Sequence, residues 1–371
     1  MNFIGIDLHT NRFTCCYRDE KSSVENPAKG RVIKTFDLDE NGLAEFYRTL
    51  TNDTYVLVEA TITTFSFVRL FKEKVSEAII ANTYELKQVS LARCNTDKID
   101  ADKLCRILKA QILSGEQLVS AVVLPPKEIQ DLRSFFTTYR LLKKQSVQLK
   151  NRIHSLLKEQ LLGFTQEEIF DKKSRGHIRS IFPGSPMSKQ VNLLLDRMER
   201  EEADAEELQN QVLEHAAPFM AQIEILTSMK GISVFIAIAI IADIIDVSRF
   251  RNSKAFTSYL RSAPKVANSN TSVSIKGTNK KGRKLSATLL TQSLNHVLVA
   301  SPKLQRWYGR LCEYKKPGLV RSGLRRRVFA EIFQMLKKGE YHYGREENKH
   351  TSKMSQYRNF LKKRKFLLEI A

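Results

Sequence analysis

Three aspartates lie close together in the sequence, and the spacing of two of them suits a shared metal ion. Asp97, Asp100 and Asp102 occur within six residues, and the apolar residues among and after them recur at helical spacing, which predicts the start of an amphipathic helix. Residues three apart on a helix have Cβ atoms about 5–6 Å from each other. The carboxylates of Asp97 and Asp100 could therefore bind one divalent cation, and without it they would repel each other.

An ordinary helix N-terminus explains the same residues. Thr96 or Asp97 can act as the N-cap, and acidic side chains in the first turn interact favourably with the helix dipole. Considered alone, the aspartates suit this structural role better than a metal site, because capping aspartates are common. The choice depends on whether other acids join them.

Two further acids fall on predicted strands. The elements predicted before the aspartates are strands at 3–9, 12–18 and 32–38, a helix at 43–50, a strand at 55–58, a helix at 65–74, a strand at 78–81 and a helix at 84–93. The first three strands form a predicted meander. Asp7 lies within the first strand, among apolar neighbours, and Glu59 follows the fourth. His9 is interpreted as a polar residue at a strand end rather than as a ligand.

Strand-borne acids that converge with a helical pair suit two-metal phosphoryl chemistry. That chemistry uses oxygen ligands around two cations about 3.5–4 Å apart, of which one activates the nucleophile and the other stabilises the leaving oxygen. Asp7, Glu59, Asp97 and Asp100 occur in an order that would provide such ligands.

Three motifs resemble those of the DEDD transposases and recombinases of insertion-sequence family one hundred and ten. They are Ile4-Gly5-Ile6-Asp7, Val58-Glu59-Ala60-Thr61 and Thr96-Asp97-Lys98-Ile99-Asp100-Ala101. The resemblance implies a RuvC-like, ribonuclease H-like N-terminal domain that binds Mg²⁺, or alternatively Mn²⁺, through Asp7, Glu59, Asp97 and Asp100. Asp102 lies outside that quartet, and we expect it to have a surface or capping role. Pilin-gene inverting recombinases have the same type of domain.

The net charge of +21 is concentrated near the C-terminus. Residues 251–371 contain 28 Lys and Arg and six Asp and Glu, whereas residues 1–250 are nearly neutral. A basic excess with interleaved aromatic residues predicts a phosphate-binding surface, although it can also be only a solvated face. The candidate nucleic-acid-binding residues are Lys230, Lys276, Lys280, Lys281, Arg283, Lys284, Arg306, Trp307, Arg325, Arg326 and Arg327.

Residues 121–217 are predicted to form a helical arm, because apolar residues recur at spacings of three and four. A hairpin within one chain and pairing between chains would both produce this pattern. Beyond the arm, Lys230-Gly231 separates two predicted helices in a helix-hairpin-helix pattern, where backbone N–H groups can approach a phosphate. Any turn between two helices that contains glycine matches this pattern. Family members have proline where this chain has Lys230.

Residues 264–284 are predicted to form a long polar loop. In the family a proline is followed five residues later by a nucleophilic serine, and counting from Pro264 gives Ser269. Asn270 stands where glycine is usual, so Ser272 is an alternative nucleophile. The resemblance further implies assembly into dimers or tetramers and guidance by a structured bridge RNA that pairs with donor and target DNA.

The predicted organisation is therefore a mixed-sheet α/β domain at 1–120, a helical arm at 121–217 and a mainly helical basic transposase domain at 218–371. Five cysteines without metal-binding spacing, no secretory leader and no apolar run of about 18 residues favour the cytoplasm of a prokaryote, in association with the nucleoid. Two other functions fit: a RuvC-like structure-specific nuclease that hydrolyses DNA with water, and a catalytically silent RNA-binding protein.

Overall fold

The computed structural model describes residues 1–21, 30–83, 86, 96–181, 183–269, 272–278 and 281–370. It divides the chain into two compact units, Met1–Pro125 and Pro126–Ala371. The elements of the first unit are strands β1 Asn2–Leu8, β2 Arg12–Asp19, β3 Arg31–Asp37, β4 Thr54–Glu59 and β5 Glu77–Ala81 and helices α1 Glu40–Arg48, α2 Thr64–Phe71 and α3 Asp97–Ser114.

The five strands of the first unit form one mixed sheet in the order β3-β2-β1-β4-β5. The pairs β1–β2 and β2–β3 are antiparallel, and the pairs β1–β4 and β4–β5 are parallel. The predicted meander and mixed α/β class are confirmed, and each of these five strands lies within three residues of its predicted bounds. The helix predicted at 84–93 lies outside the described residues apart from position 86.

Both faces of the sheet are covered, which explains why β1 is apolar almost throughout. On one face, Ile4 and Ile6 of β1 join a core with five stacked or edge-to-face phenylalanines. On the other face, Phe3 packs with Leu104 and Leu108 of α3. Because side chains alternate along a strand, Asp7 lies on the same face of β1 as Phe3, toward α3.

Gly5 allows α3 to lie directly on β1. A Cβ atom at Gly5 would lie 2.2 Å from the backbone N of Cys105 and 2.3 Å from the carbonyl O of Ala101. Real Cβ atoms do not come this close to backbone, so a larger residue would push α3 away from the sheet. The first turn of α3 is thereby held near the end of β1.

The second unit is mainly helical. Its elements are α4 Lys127–Glu159, α5 Gln166–Phe170, α6 Lys172–Ser180, α7 Pro186–His215, α8 Met220–Thr227, α9 Val234–Ile244, α10 Ser253–Tyr259, β6 Pro264–Ser269, β7 Ser272–Thr278, α11 Leu285–Val299, α12 Pro302–Cys312, α13 Pro317–Lys338 and α14 Glu347–Ile370. In the part of the chain that the structure describes, no helix is long and apolar enough to cross a membrane.

The predicted helical arm corresponds largely to α4 and α7, which pack against each other within one chain. Phe136, near the start of α4, shares a core with Val212 near the end of α7. Ile153, near the end of α4, shares another core with Leu195 in the first half of α7. The two helices therefore run antiparallel, and the pattern of apolar residues in this pair is satisfied inside a single chain.

The prediction of a long loop at 264–284 is wrong for residues 264–269 and 272–278. Strands β6 and β7 form an antiparallel hairpin in which Ser269 pairs with Ser272. A two-stranded ribbon is held by hydrogen bonds between backbones, and such pairing does not require the apolar alternation that a sequence search detects. The predicted glycine turn is present between α8 and α9, with Gly231 at a φ of 85°.

We expect Gly5→Ala to lower the free energy of unfolding of the first unit by roughly 2–3 kcal/mol, because the added methyl group overpacks the contact with α3. Denaturant unfolding, followed together with hydrogen exchange of the α3 amides, would measure the effect.

The matched control is Gly309→Ala, since a Cβ atom there meets nothing within 4 Å. Gly309 is inside α12, so alanine should stabilise that helix by about 0.5–1 kcal/mol. Equal stability of Gly5→Ala and the wild type would contradict the role assigned to Gly5.

Candidate functional site

Asp7, His9 and Asp97 form a cluster at the end of β1. Nε2 of His9 lies 3.2 Å from a carboxylate oxygen of Asp7 and 3.4 Å from one of Asp97. One potential ligand atom from each residue lies within 4.8 Å of the others. The structure thus brings one strand acid, Asp7, to one acid of the helical pair, as the sequence predicts.

The end of β1 and the start of α3 position these groups. Thr96 is the N-cap of α3, and its hydroxyl accepts from the backbone N–H of Ile99 at 3.4 Å. Asp97 and Asp100 follow in the first turn, and a carboxylate oxygen of Asp100 accepts from Nζ of Lys103 at 2.9 Å. The capping interpretation therefore applies to Thr96, which leaves the two aspartates in a position to bind a ligand.

The electrostatics of the cluster favour a cation. Burial raises the pKa of Asp7; His9 opposes this effect, and the negative charges of Asp97 and Asp100 add to it. Crowded carboxylates of this kind are stabilised by a divalent ion, and oxygen ligands suit Mg²⁺ or Mn²⁺. The neighbouring pocket of about 400 Å³ is lined by His9, Thr10, Asn11, Arg12 and Asp97 and gives solvent or a ligand access to the cluster.

Glu59 is the last residue of β4, the parallel neighbour of β1. Leu57 of β4 packs in the same core as α3, and because alternate residues share a face, Glu59 lies on that face as well. Asp7 and Glu59 each follow the last residues that pair between β1 and β4, Ile6 and Val58. The carboxyl ends of two parallel strands thus bring these acids to one edge of the sheet, although Glu59 is outside the three-residue cluster.

Sequence reasoning interpreted His9 as a polar residue at a strand end rather than as a ligand, and it assigned no role to Arg12. His9 is half-exposed beside both carboxylates, and Arg12 NH2 donates to Asp97 at 3.3 Å. The spacing of His9, two residues after Asp7, was a usable signal, because it predicts the same side of an extended segment. The contact between Arg12 and Asp97 joins residues 85 positions apart, and no local pattern indicates it.

The surface or capping role expected for Asp102 is wrong. Asp102 is buried, and its carboxylate accepts from Arg18 NH2 at 2.6 Å and from the thiol of Cys16 at 3.3 Å. Arg31 NH1 lies 3.6 Å from the other oxygen. The helical turn that presents Asp97 and Asp100 is therefore followed by a buried ion pair that fixes α3 to β2.

The predicted nucleic-acid-binding residues differ in their accessibility. The exposed ones are Lys281, Lys284, Arg306, Arg326 and Arg327. Arg327 lies over the half-buried ring of Trp307 at 5.0 Å, so this pair offers an aromatic surface beside a cation.

Other residues that were predicted to bind nucleic acid form hydrogen bonds or ion pairs within the second unit. Arg325 donates to Ser262, Thr291 and the carbonyl of Arg261, and burial lowers its pKa. Lys230 forms an ion pair with Glu346, and Arg283 pairs with the buried Asp243 at 3.1 Å.

The candidate nucleophiles lie at the closed end of the β6–β7 hairpin. Ser269 ends β6 and Ser272 begins β7, and their side chains lie outside the described residues. The same holds for the side chain of Lys276 in β7, and Lys280 lies outside the described residues altogether.

Residues 223–309 match a family model described as Transposase IS116/IS110/IS902 family. The matched segment runs from α8 to α12 and includes the hairpin. No curated protein matches the chain. This segment is therefore similar to transposases of the insertion-sequence family that the motifs predict.

We expect Mg²⁺ or Mn²⁺ to raise the melting temperature of the first unit in wild-type protein, because a ligand at 100 times its Kd stabilises by about 2.7 kcal/mol. Asp7→Asn and Asp97→Asn should abolish the shift. Asp7→Asn should also raise the melting temperature without metal, since burial and the charges of Asp97 and Asp100 disfavour the ionised form of Asp7.

Glu73→Gln is the control for that experiment, because Glu73 is an exposed acid of the same unit whose side chain pairs with Lys72. This variant should keep the full metal-dependent shift. A shift that persisted in both Asp7→Asn and Asp97→Asn would rule out the cluster as the metal site.

Asp102→Asn should lower the free energy of unfolding by about 3–5 kcal/mol, because it leaves the Arg18 guanidinium buried without its anion. Replacing both partners, with Arg18→Met and Asp102→Leu, should recover much of the loss. Denaturant unfolding of the three proteins provides the measurement, and a loss below about 1 kcal/mol in the single variant would contradict the structural role of Asp102.

Proposed function

We propose that this protein is a DNA transposase or site-specific recombinase that cuts and rejoins DNA strands. The match of residues 223–309 to the transposase family is the observation that carries this proposal. The acid cluster of the first unit supports it, because phosphoryl transfer on DNA needs stabilisation of negative charge on the reacting phosphate.

The first unit is proposed to be a ribonuclease H-like, RuvC-like domain whose metal ligands are Asp7, Glu59, Asp97 and Asp100. The mixed strand order and the acids at the ends of β1 and β4 support this assignment. When bound there, Mg²⁺ or Mn²⁺ would stabilise charge on the phosphate and activate a nucleophile. Arg12 orients Asp97 through its hydrogen bond, and His9 links the carboxylates of Asp7 and Asp97.

Ser269 is proposed as the nucleophile. Its Oγ forms a bond to the phosphorus of one phosphodiester, the bond from that phosphorus to the leaving DNA oxygen breaks, and a base receives the serine proton while the leaving oxygen is protonated. In the second step a DNA hydroxyl attacks the phosphoserine, releases Ser269 and rejoins the strand. The energy of the phosphodiester is conserved in the intermediate, so the exchange needs no other reactant.

The proposed partners are donor DNA, target DNA and a structured bridge RNA, which together would explain the basic excess of residues 251–371. The protein is proposed to act as a dimer or tetramer. RNA copurifying with the protein can be sequenced, and a single structured species with segments complementary to two DNA sites is the expected result.

We expect Ser269→Ala to abolish recombination and the denaturant-stable protein–DNA adduct, while DNA binding changes less than about twofold, because only the attacking oxygen is removed. Asp97→Asn should abolish both as well. Gel separation of the adduct after denaturation is the measurement, and Ser272→Ala is the matched control that should retain it.

Each of the other possible outcomes would assign a different nucleophile or a different function to the protein. An adduct that is lost only in Ser272→Ala would move the nucleophile to Ser272. Metal-dependent cleavage without any adduct would identify a nuclease that uses water, and salt-sensitive binding of RNA without cleavage would identify a silent binding protein.

A further inference from the structure

Half of the residues that line a pocket at the base of the β6–β7 hairpin are cationic. Its volume is about 250 Å³, and all of its lining residues belong to the second unit. Five of them are basic and one is acidic: Arg133, Arg140, Arg261, Arg283, Lys284 and Asp243. Three elements supply these cations, namely α4, the segment before β6 and the segment between β7 and α11.

The acid does not neutralise the pocket. One carboxylate oxygen of Asp243 accepts from Nε of Arg283 at 3.1 Å, and the other accepts from the backbone N–H and the hydroxyl of Ser286, both at 2.8 Å. Asp243 is completely buried, and these groups already satisfy both of its oxygens. Arg283 balances the charge of Asp243, and the positive charges of the other four cations are not balanced by an acid among the lining residues. An anion in the pocket would therefore be stabilised.

Hydrogen bonds to backbone carbonyls hold two of these cations in place. Arg133 donates to the carbonyls of Ala242 and Asp243 at 2.7 and 3.2 Å, and Arg261 donates to that of Gly282 at 2.7 Å. Burial and the neighbouring Arg283 lower the pKa of Arg133 to about 10, which reflects a site where positive charges are crowded and partly desolvated. Arg133 remains charged at neutral pH, so the pocket keeps its excess of positive charge.

The backbone turn that places Arg283 beside the pocket requires glycine at position 282. Gly282 has a φ of 97°, and a Cβ atom there would lie 2.1 Å from the carbonyl O of Tyr259. That same carbonyl accepts from the backbone N–H of Arg283 at 2.9 Å. The position of the basic segment after the hairpin is thus set by close backbone contact, and the cations are arranged before any ligand arrives.

We propose that this pocket binds a backbone phosphate of a nucleic-acid strand and so fixes the strand at the base of the hairpin. The proposal rests on the proposed function in taking nucleic acid as the source of the phosphate. Guanidinium groups bind phosphate oxygens through two parallel hydrogen bonds, and two arginines held by backbone contacts are suited to this geometry. Ser269 ends a strand that begins at Pro264, five residues and about 16 Å from the base of the hairpin.

The test uses the full chain and a 30-base-pair DNA duplex of arbitrary sequence. Arg140 and Lys284 are exposed, so Arg140→Gln with Lys284→Gln should remove two charges without unfolding the protein. The matched control is Lys144→Gln with Lys158→Gln, which removes two charges from exposed residues of α4 that do not line the pocket. Thermal unfolding should be unchanged in both proteins.

We expect the pocket variant to bind the duplex at least about tenfold more weakly, and the slope of log K against log salt to fall by about 1, because a phosphate contact is lost. The control should change affinity by less than about twofold. Equal weakening of the two double variants would overturn the proposal, since it would reflect total charge alone.

A second arm uses inorganic phosphate and pyrophosphate as probes, with melting temperature as the readout. If the pocket variant bound the duplex like the wild type and lost only its stabilisation by these free anions, the pocket would take a free anion and the proposal would be wrong. Binding is measured without strand transfer, so a failure of the Ser269→Ala experiment would not affect this result.

Discussion

The candidate site depends on the close approach of α3 to β1. At Gly5 the helix backbone occupies the space in which a side chain would lie, and this contact sets how far the first turn of α3 is from the end of the strand. Asp7 lies two residues beyond Gly5 on the same face, so the contact and the acid are linked by the period of the strand. Asp97 on α3 and Asp7 on β1 can then lie close together without the ordering of a loop.

Helix α3 carries acids in two different environments. Asp97 and Asp100 are partly exposed in the first turn, whereas Asp102 turns inward and pairs with Arg18 in the interior. Separating a buried carboxylate from its guanidinium partner costs several kcal/mol, about 3–5 by analogy with other buried pairs. The ion pair therefore restricts rotation of α3 about its axis. That restriction matters to the exposed acids, because a rotation of α3 would move Asp97 away from Asp7.

The sequence predicts what is local and misses what depends on distant partners. The five strands of the first sheet were predictable because apolar runs bounded by polar turns are local signals, and the spacing of Asp97 and Asp100 follows from helix geometry. The role of Asp102 was not predictable, because Arg18 is 84 positions away in the chain. The pairing of β6 with β7 was missed because it uses backbone groups, which every residue except proline offers equally.

The basic excess of the second unit has two components that composition cannot separate. Arg325 is tied to Ser262 and Thr291 inside the unit, and Arg364 pairs with Glu207 and Glu214, so part of the positive charge holds helices together. Cations of this kind release few counterions when nucleic acid binds, because acids or buried acceptors already satisfy them. We therefore expect the salt dependence of the proposed nucleic-acid binding to report the exposed cations and those of the pocket at the hairpin base, and to be smaller than the net charge implies.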